Sequence, residues 1–201
     1  MPTKEKAIVY LHGQGGNAKE AEHYAPLFPE HTVIGYDYTA ETPWAAQKEF
    51  PPFFAELQEK YEITLIANSI GAYFAMHALA DCPFCNVYLI SPIVDMEKLI
   101  SDMMAALSVT EEELEREQMI PTPYGAPLSW EYLCYVRSHP IDWHAPTEIL
   151  YGSRDSLTSY QTISRFARKI GATLTVMEGG EHWFHTEEQM AFLDQWICGK
   201  L

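Results

Sequence analysis

Positive charge is scarce in this chain. Thirteen Lys and Arg residues stand against 28 Asp and Glu, a formal net charge of −15 over 201 residues. Nucleic acids and anionic membrane surfaces are bound through basic patches, so neither is an expected partner, and strongly anionic substrates suit this surface poorly. Cysteine is also scarce, with four residues: Cys82, Cys85, Cys134 and Cys198. Cys82-Pro-Phe-Cys85 has redox spacing, but a redox pair sets its first thiol at a helix N-terminus after a strand, which lowers the pKa. This pair instead follows a helical stretch and precedes the strand-like run 86–90. A zinc site would need two more ligands at suitable spacing, and none lies nearby. Structural thiols and no metal are therefore expected. Long hydrophobic runs are missing too, since no apolar segment approaches the roughly 18 to 20 residues of a membrane helix. The opening residues do not read as a signal peptide, because the apolar stretch after them is short and runs into His12-Gly13. A cytoplasmic protein is the expectation.

What is present is material for one large core. Hydrophobic residues make up 47% of the chain, which excludes disorder, and the length suits a single domain over 1–201. Short β-branched runs lie at 7–11, 32–36, 63–66, 86–90, 147–151 and 172–177. Helical patterns separate them. Leu157, Tyr160, Ile163, Phe166, Ala167 and Ile170 recur at helical spacing, as do Met190, Leu193, Trp196 and Ile197, where Thr186 and Gln189 read as a capping box. The segment 44–60 is helix-prone but reads as broken at Pro51-Pro52. The expected fold class is α/β, a mainly parallel six-stranded sheet with helices on both faces.

One stretch departs from that alternation. Between the fourth and fifth strands, Met96, Leu99, Ile100, Met103, Met104 and Leu107 form an amphipathic helix. Thr110 and Glu113 read as the capping box of a second helix, and a Pro/Gly-rich turn at 121–127 precedes a third helical piece at 129–138. A helical cap inserted at about 93–146 is one reading; helices that merely pad the sheet are the other. Met103 and Met104 are adjacent, so they point about 100° apart on a helix and cannot do the same job. One suits the wall of a ligand pocket, because an unbranched thioether adapts to many shapes.

Chemistry enters at Ala67-Asn68-Ser69-Ile70-Gly71, which follows a strand-like run and leads into a helical one. Strand, serine between small residues, then helix is the layout of a nucleophile elbow, which lifts the hydroxyl clear on a strained turn at a helix N-terminus. A buried serine opening an ordinary helix is the plain alternative. A serine hydroxyl needs a base, and the base needs an orienting acid. Asp155 follows the fifth strand and His182 the sixth, so with Ser69 all three emerge at the carboxyl edge of a parallel sheet. Asp37 and Asp95 also follow strands and are rival acids. His185 reads as a helix-start residue and His77 as a packed core histidine.

These features resemble the α/β-hydrolase superfamily over nearly the whole chain: His12-Gly13 after the first strand, the Ser69 elbow, Gly152-x-x-Asp155 and Gly179-Gly180-x-His182. The order Ser, acid, His matches. The resemblance implies Ser69 as nucleophile, His182 as base then acid, and Asp155 holding the imidazole. It implies an oxyanion hole from the backbone amides of Gln14 and Ile70, with His12 ordering the turn beside it. It implies no cofactor, and an ester or thioester cleaved through an acyl-enzyme; the acidic surface and the Met- and aromatic-rich cap point to a small, uncharged acyl group. Ala67 departs from the pattern, though small lipase-like members carry Ala there too, and two early antiparallel strands are lacking.

Two other readings stay open. Gly13-x-Gly15-x-x-Ala18 after the first strand, with Asp37 about 20 residues on, satisfies a dinucleotide-binding fingerprint and points to a nicotinamide-dependent oxidoreductase. The third reading is a non-catalytic binding protein on a hydrolase-type fold.

Overall fold

A parallel strand buried on both faces reads as an unbroken apolar run, and four of the six sheet strands are of that kind over most of their length. The computed structural model describes residues 4–123 and 125–199. In chain order the elements are β1 (Glu5–Leu11), two 3₁₀ segments (Ala18–His23 and Ala25–Leu27), β2 (Thr32–Tyr36), α1 (Pro43–Lys60), β3 (Tyr61–Asn68), α2 (Ser69–Ala78) and β4 (Asn86–Ile90). Then follow α3 (Met96–Leu107), α4 (Glu111–Glu117), the short β5 (Met119–Ile120) and β6 (Leu128–Ser129), and α5 (Trp130–Ser138). The remainder is β7 (Thr147–Gly152), α6 (Tyr160–Ile170), β8 (Thr173–Met177) and α7 (Glu187–Cys198).

The main sheet runs β2-β1-β3-β4-β7-β8 with every neighbouring pair parallel. From β1 the chain passes to β2 on one side and returns to β3 on the other. The carboxyl ends of β1 and β3 therefore flank a topological switch point, where open α/β sheets form crevices. The pleat sorts the core. Ile8, Tyr10, Ile66, Tyr88, Ile90 and Leu150 share one face with Ala21, Tyr24 and Phe28 of the 3₁₀ region and Leu193, Trp196 and Ile197 of α7. Val9, Leu65, Leu89 and Ile149 alternate to the other face and are fully buried. α1 and α2 pack against each other, and both contact β3.

Internal contacts divide the chain into two compact units, one of the residues up to Val94 and from Asp142 onward, the other Asp95–Ile141. Within the second, the Arg137 fork grips both carboxylate oxygens of Glu111 at 2.6 and 2.8 Å, while its Nε donates to Glu97 at 2.7 Å. One guanidinium thus ties α5 to the starts of α3 and α4. Among the described residues no helix is long and apolar enough to cross a membrane.

Several local expectations need correction. Helix α1 is continuous through Pro51 and Pro52. Both rings lie on its exposed side, as do Gln47 and Lys48, whose carbonyls lose their donors and are left facing water. Phe50 and Phe54 hold the opposite side in the core. The first crossover is a pair of 3₁₀ segments. Leu157 lies outside α6, exposed in the loop before it. At α7, Thr186 caps the Gln189 amide, but the Gln189 side chain accepts from His185 N and so does not close a capping box.

Candidate active site

The elbow begins with close packing. Ala67 sits between Leu11 and Leu89 in register and is fully buried, so the strand has room for one methyl there. Ser69 has φ +50°, a left-handed conformation that costs a non-glycine residue of order 1–3 kcal/mol and clusters at functional turns. Two glycines make the turn possible. A Cβ on Gly71 would fall 2.3 Å from the His12 carbonyl oxygen, and one on Gly13 would meet the Ser69 Cβ at 3.3 Å. Glycine at both lets β1's exit, the elbow and α2 share one small space.

His182 and Asp155 arrive on crossing loops. Ser69 Oγ lies 2.8 Å from His182 Nε2, and His182 Nδ1 lies 2.8 Å from Asp155 Oδ2. The Asp155 side chain is fully buried, and its other oxygen accepts the amides of Leu157 and Thr158 at 2.8 and 2.9 Å. Those bonds fix the carboxylate as an acceptor, so His182 donates from Nδ1 and offers Nε2 to the Ser69 hydroxyl. Thr158 is anchored in turn, its carbonyl taking the Tyr151 hydroxyl at 2.9 Å. The loops after β7 and β8 are locked together. A Cβ on Gly152 would lie 2.5 Å from the Gly180 backbone, Arg154 N donates to Gly180 O at 2.8 Å, and Ser153 Oγ accepts from Gly179 N at 2.8 Å. Asp155 and His182 are thereby held as one piece.

Facing Ser69, residues 13–16 form a tight turn closed by Gly16 N to Gly13 O at 3.1 Å, with Gly15 at φ +74°. Its second residue is Gln14, which is exposed. Ile70 occupies the first turn of α2, where backbone N–H groups have no intrahelical acceptor. Both amides are therefore available at the ends of β1 and β3. His12 orders the turn's entrance: its Nδ1 donates to Gly13 O at 2.8 Å, its ring stacks on Tyr38 at 4.2 Å, and its carbonyl accepts the Tyr38 hydroxyl at 2.7 Å.

No family model matches the sequence, and no curated protein matches it. Solved structures do. Alpha/beta hydrolase domain-containing protein 10 from mouse superposes with a TM-score of 0.76 at 17% identity, over 98% of this chain and 91% of that one. Est1E from Butyrivibrio proteoclasticus gives a TM-score of 0.78 at 15% identity, over 99% and 88%. The esterase domain of a Rhodothermus marinus protein gives 0.66 at 12% identity, over 100% and 88%. The chain has the α/β-hydrolase fold.

Within the α/β-hydrolase fold the other candidates fall into place. Asp95 caps α3, accepting from Lys98 N at 3.0 Å, and Asp37 is exposed; neither partners His182. His185 stands just before the cap of α7, stacked on Trp183 at 4.5 Å. His77 lies on α2 against Tyr73 and is half-buried, less enclosed than a core histidine. Met103 is half-buried and Met104 buried on α3. The cysteines are free, and burial pushes the Cys82 thiol up to about 12, opposite to the shift that makes a thiol reactive. Among the described residues no cluster of His, Cys, Asp and Glu could hold a metal ion.

The glycine fingerprint at 13–18 has a different use from the dinucleotide one. It opens onto a six-residue 3₁₀ segment whose first amides are already capped by the side chains of Asn17 and Glu20. No free helix N-terminus is left to receive a pyrophosphate. Sequence reading missed the contributions of Tyr10, Glu20 and Tyr38 to this turn. The spacing Asn17-x-x-Glu20 carries a capping-box signature that could have exposed part of it.

Proposed function

We propose that the protein is a serine hydrolase that cleaves a carboxylic ester or thioester through an acyl-enzyme at Ser69. One observation carries the reading: a strained serine at φ +50° within 2.8 Å of an imidazole that a buried carboxylate orients from 2.8 Å on its other side. Strain is tolerated at such a position when it exposes a nucleophile. Ser69 Oγ attacks the acyl carbon as its proton passes to His182 Nε2. Oxygen charge develops beside the Gln14 and Ile70 amides, whose fixed dipoles are worth more there than in water. The imidazolium then protonates the departing alkoxide or thiolate. Water repeats the sequence to release the acid, again with His182 as base. Asp155 stays ionised throughout and holds the Nδ1–H tautomer.

Esters and thioesters are favoured over amides because their leaving groups need less acid assistance. The acidic surface favours an uncharged acyl group. Est1E, of like fold, has been seen with ferulic acid bound, so a feruloyl ester belongs in the substrate panel beside p-nitrophenyl esters of graded length.

The experiment is covalent labelling with a fluorophosphonate, located by peptide mass spectrometry. Wild type is expected to label at Ser69 alone, and Ser69→Ala to lose both labelling and ester turnover, by several orders of magnitude in rate. Labelling at another serine would overturn Ser69 as the nucleophile, and no labelling in a folded protein would make the non-catalytic reading the better one.

A further inference from the structure

The two halves of the candidate oxyanion hole lie on separate elements. Gln14 belongs to the turn after β1, and Ile70 to the elbow after β3. Their relative placement must hold to a few tenths of an ångström for two amides to meet one oxygen. The turn's entrance is fixed by Tyr38 and His12. Its exit is fixed by something else.

Tyr10 is the penultimate residue of β1, pairs with Ile66 of β3, and is almost fully buried. Its hydroxyl donates to Glu20 Oε2 at 2.6 Å. The Tyr10 phenol oxygen in turn lies within hydrogen-bonding reach of the side chain of Asn68, the residue before Ser69, which acts to draw the phenol pKa down. The second oxygen of Glu20 accepts Asn17 N at 3.2 Å, directly at the exit of the 13–16 turn. The carboxylate also crowds Gly16, where a Cβ would stand 2.6 Å from Oε1. An unbroken relay therefore runs from the elbow through one buried phenol to the turn, Asn68 to Tyr10 to Glu20 to Asn17. Burial above all, with Tyr24 and Glu20 beside it, pushes the Tyr10 phenol up, so it remains a donor to Glu20 at every working pH. Linked hydrogen bonds of this kind polarise and stiffen one another.

The geometry points to Tyr10 and Glu20 as positioning residues that brace the Gln14 amide against the Ile70 amide, so that the oxyanion site is formed before substrate arrives. Neither touches the reacting atoms. The assignment rests on the serine-hydrolase reading. It predicts a particular kinetic signature, because an oxyanion site acts on the transition state more than on bound substrate.

The test is steady-state hydrolysis of p-nitrophenyl acetate by wild type, Tyr10→Phe, Glu20→Ala, Glu20→Gln and the Tyr10→Phe/Glu20→Ala double variant. Melting temperatures and fluorophosphonate labelling rates are measured alongside. Losing a whole oxyanion donor costs about 10²- to 10³-fold in kcat. A loosened one is expected to cost about 10- to 100-fold, with KM within about twofold of wild type and the labelling rate falling in step. Glu20→Gln keeps an acceptor for Asn17 and a polar partner for the phenol, so it retains most of kcat. The double variant is no worse than the poorer single one, as expected for members of one relay. A merely structural role would lower the melting temperature and leave kcat unchanged. Kcat at the wild-type level in both Tyr10→Phe and Glu20→Ala overturns the bracing and leaves the hydrolase reading standing. Wild type that neither turns over ester nor labels at Ser69 overturns the hydrolase reading, and the bracing with it. Should Tyr10→Phe fold poorly, Glu20→Ala on an exposed residue decides the matter alone.

Discussion

Asp155 uses both carboxylate oxygens, one on the imidazole and one on two backbone amides, with no exposed surface left. Asparagine in its place could still accept the Leu157 and Thr158 amides. Its NH₂ would face His182 Nδ1, however, and favour the tautomer that carries hydrogen on Nε2, where Ser69 needs an acceptor. Asp155→Asn is therefore expected to fold with a near-native melting temperature and lose about 10³- to 10⁴-fold in kcat. Asp37→Asn and Asp95→Asn should keep wild-type turnover; if either abolishes it while Asp155→Asn does not, the acid has been assigned to the wrong residue. Ser69, Asp155 and His182 were readable in the sequence because each follows a recognisable strand, and parallel strands deliver their C-terminal loops to one edge. The Tyr10 relay was not readable as such. It depends on the β1–β3 register and on side-chain directions, and it joins Asn68 and Glu20 through a residue with the look of ordinary core.

At the scale of elements, the strands were legible because burial on both faces leaves runs such as Ile63-Thr64-Leu65-Ile66 almost wholly apolar. Helix α1 was misread for a physical reason. Two consecutive prolines remove two backbone donors, which usually ends a helix, yet here Phe50 and Phe54 pack in the core while Tyr36 stacks on Phe53 at 3.8 Å. Tertiary burial outweighs the local penalty. An interior proline costs about 3 kcal/mol in a helix, and its restriction of the unfolded chain returns about 0.4–1 kcal/mol of that. Pro52→Ala is accordingly expected to stabilise by about 2 kcal/mol and raise the melting temperature by roughly 4–8 °C, read by calorimetry. An unchanged or lowered melting temperature would mean that the rings make contacts worth as much as the lost hydrogen bonds.

Over the whole molecule, the sheet order places the crevice, and the unit Asp95–Ile141 is set apart from the sheet in its contacts. Its amphipathic pattern was plain in the sequence; what its apolar stripe faces was not, since a helical period reports which side is buried but not by what. Met103 and Met104 sharpen the question, the first half-buried and the second buried. Met104→Ala should act as a core truncation, costing roughly 2–5 kcal/mol in denaturant unfolding. Met103→Ala, at a half-buried position, should cost clearly less than Met104→Ala in the same unfolding. Equal costs would mean that both side chains are packed alike.

Ser69 and His182, the proposed nucleophile and base, are 113 residues apart in the chain. A ribosome works in one direction, so β3 and the elbow emerge while β7, β8 and the loops that follow them are still to be translated. For most of its synthesis the chain carries an ordinary alcohol at position 69. On the proposed reading, reactivity switches on only when the last parallel strand joins the sheet edge and brings His182 across. An incomplete chain, which would be the most damaging place for an unguarded acyl-transfer centre, would on that reading be chemically silent by topology alone.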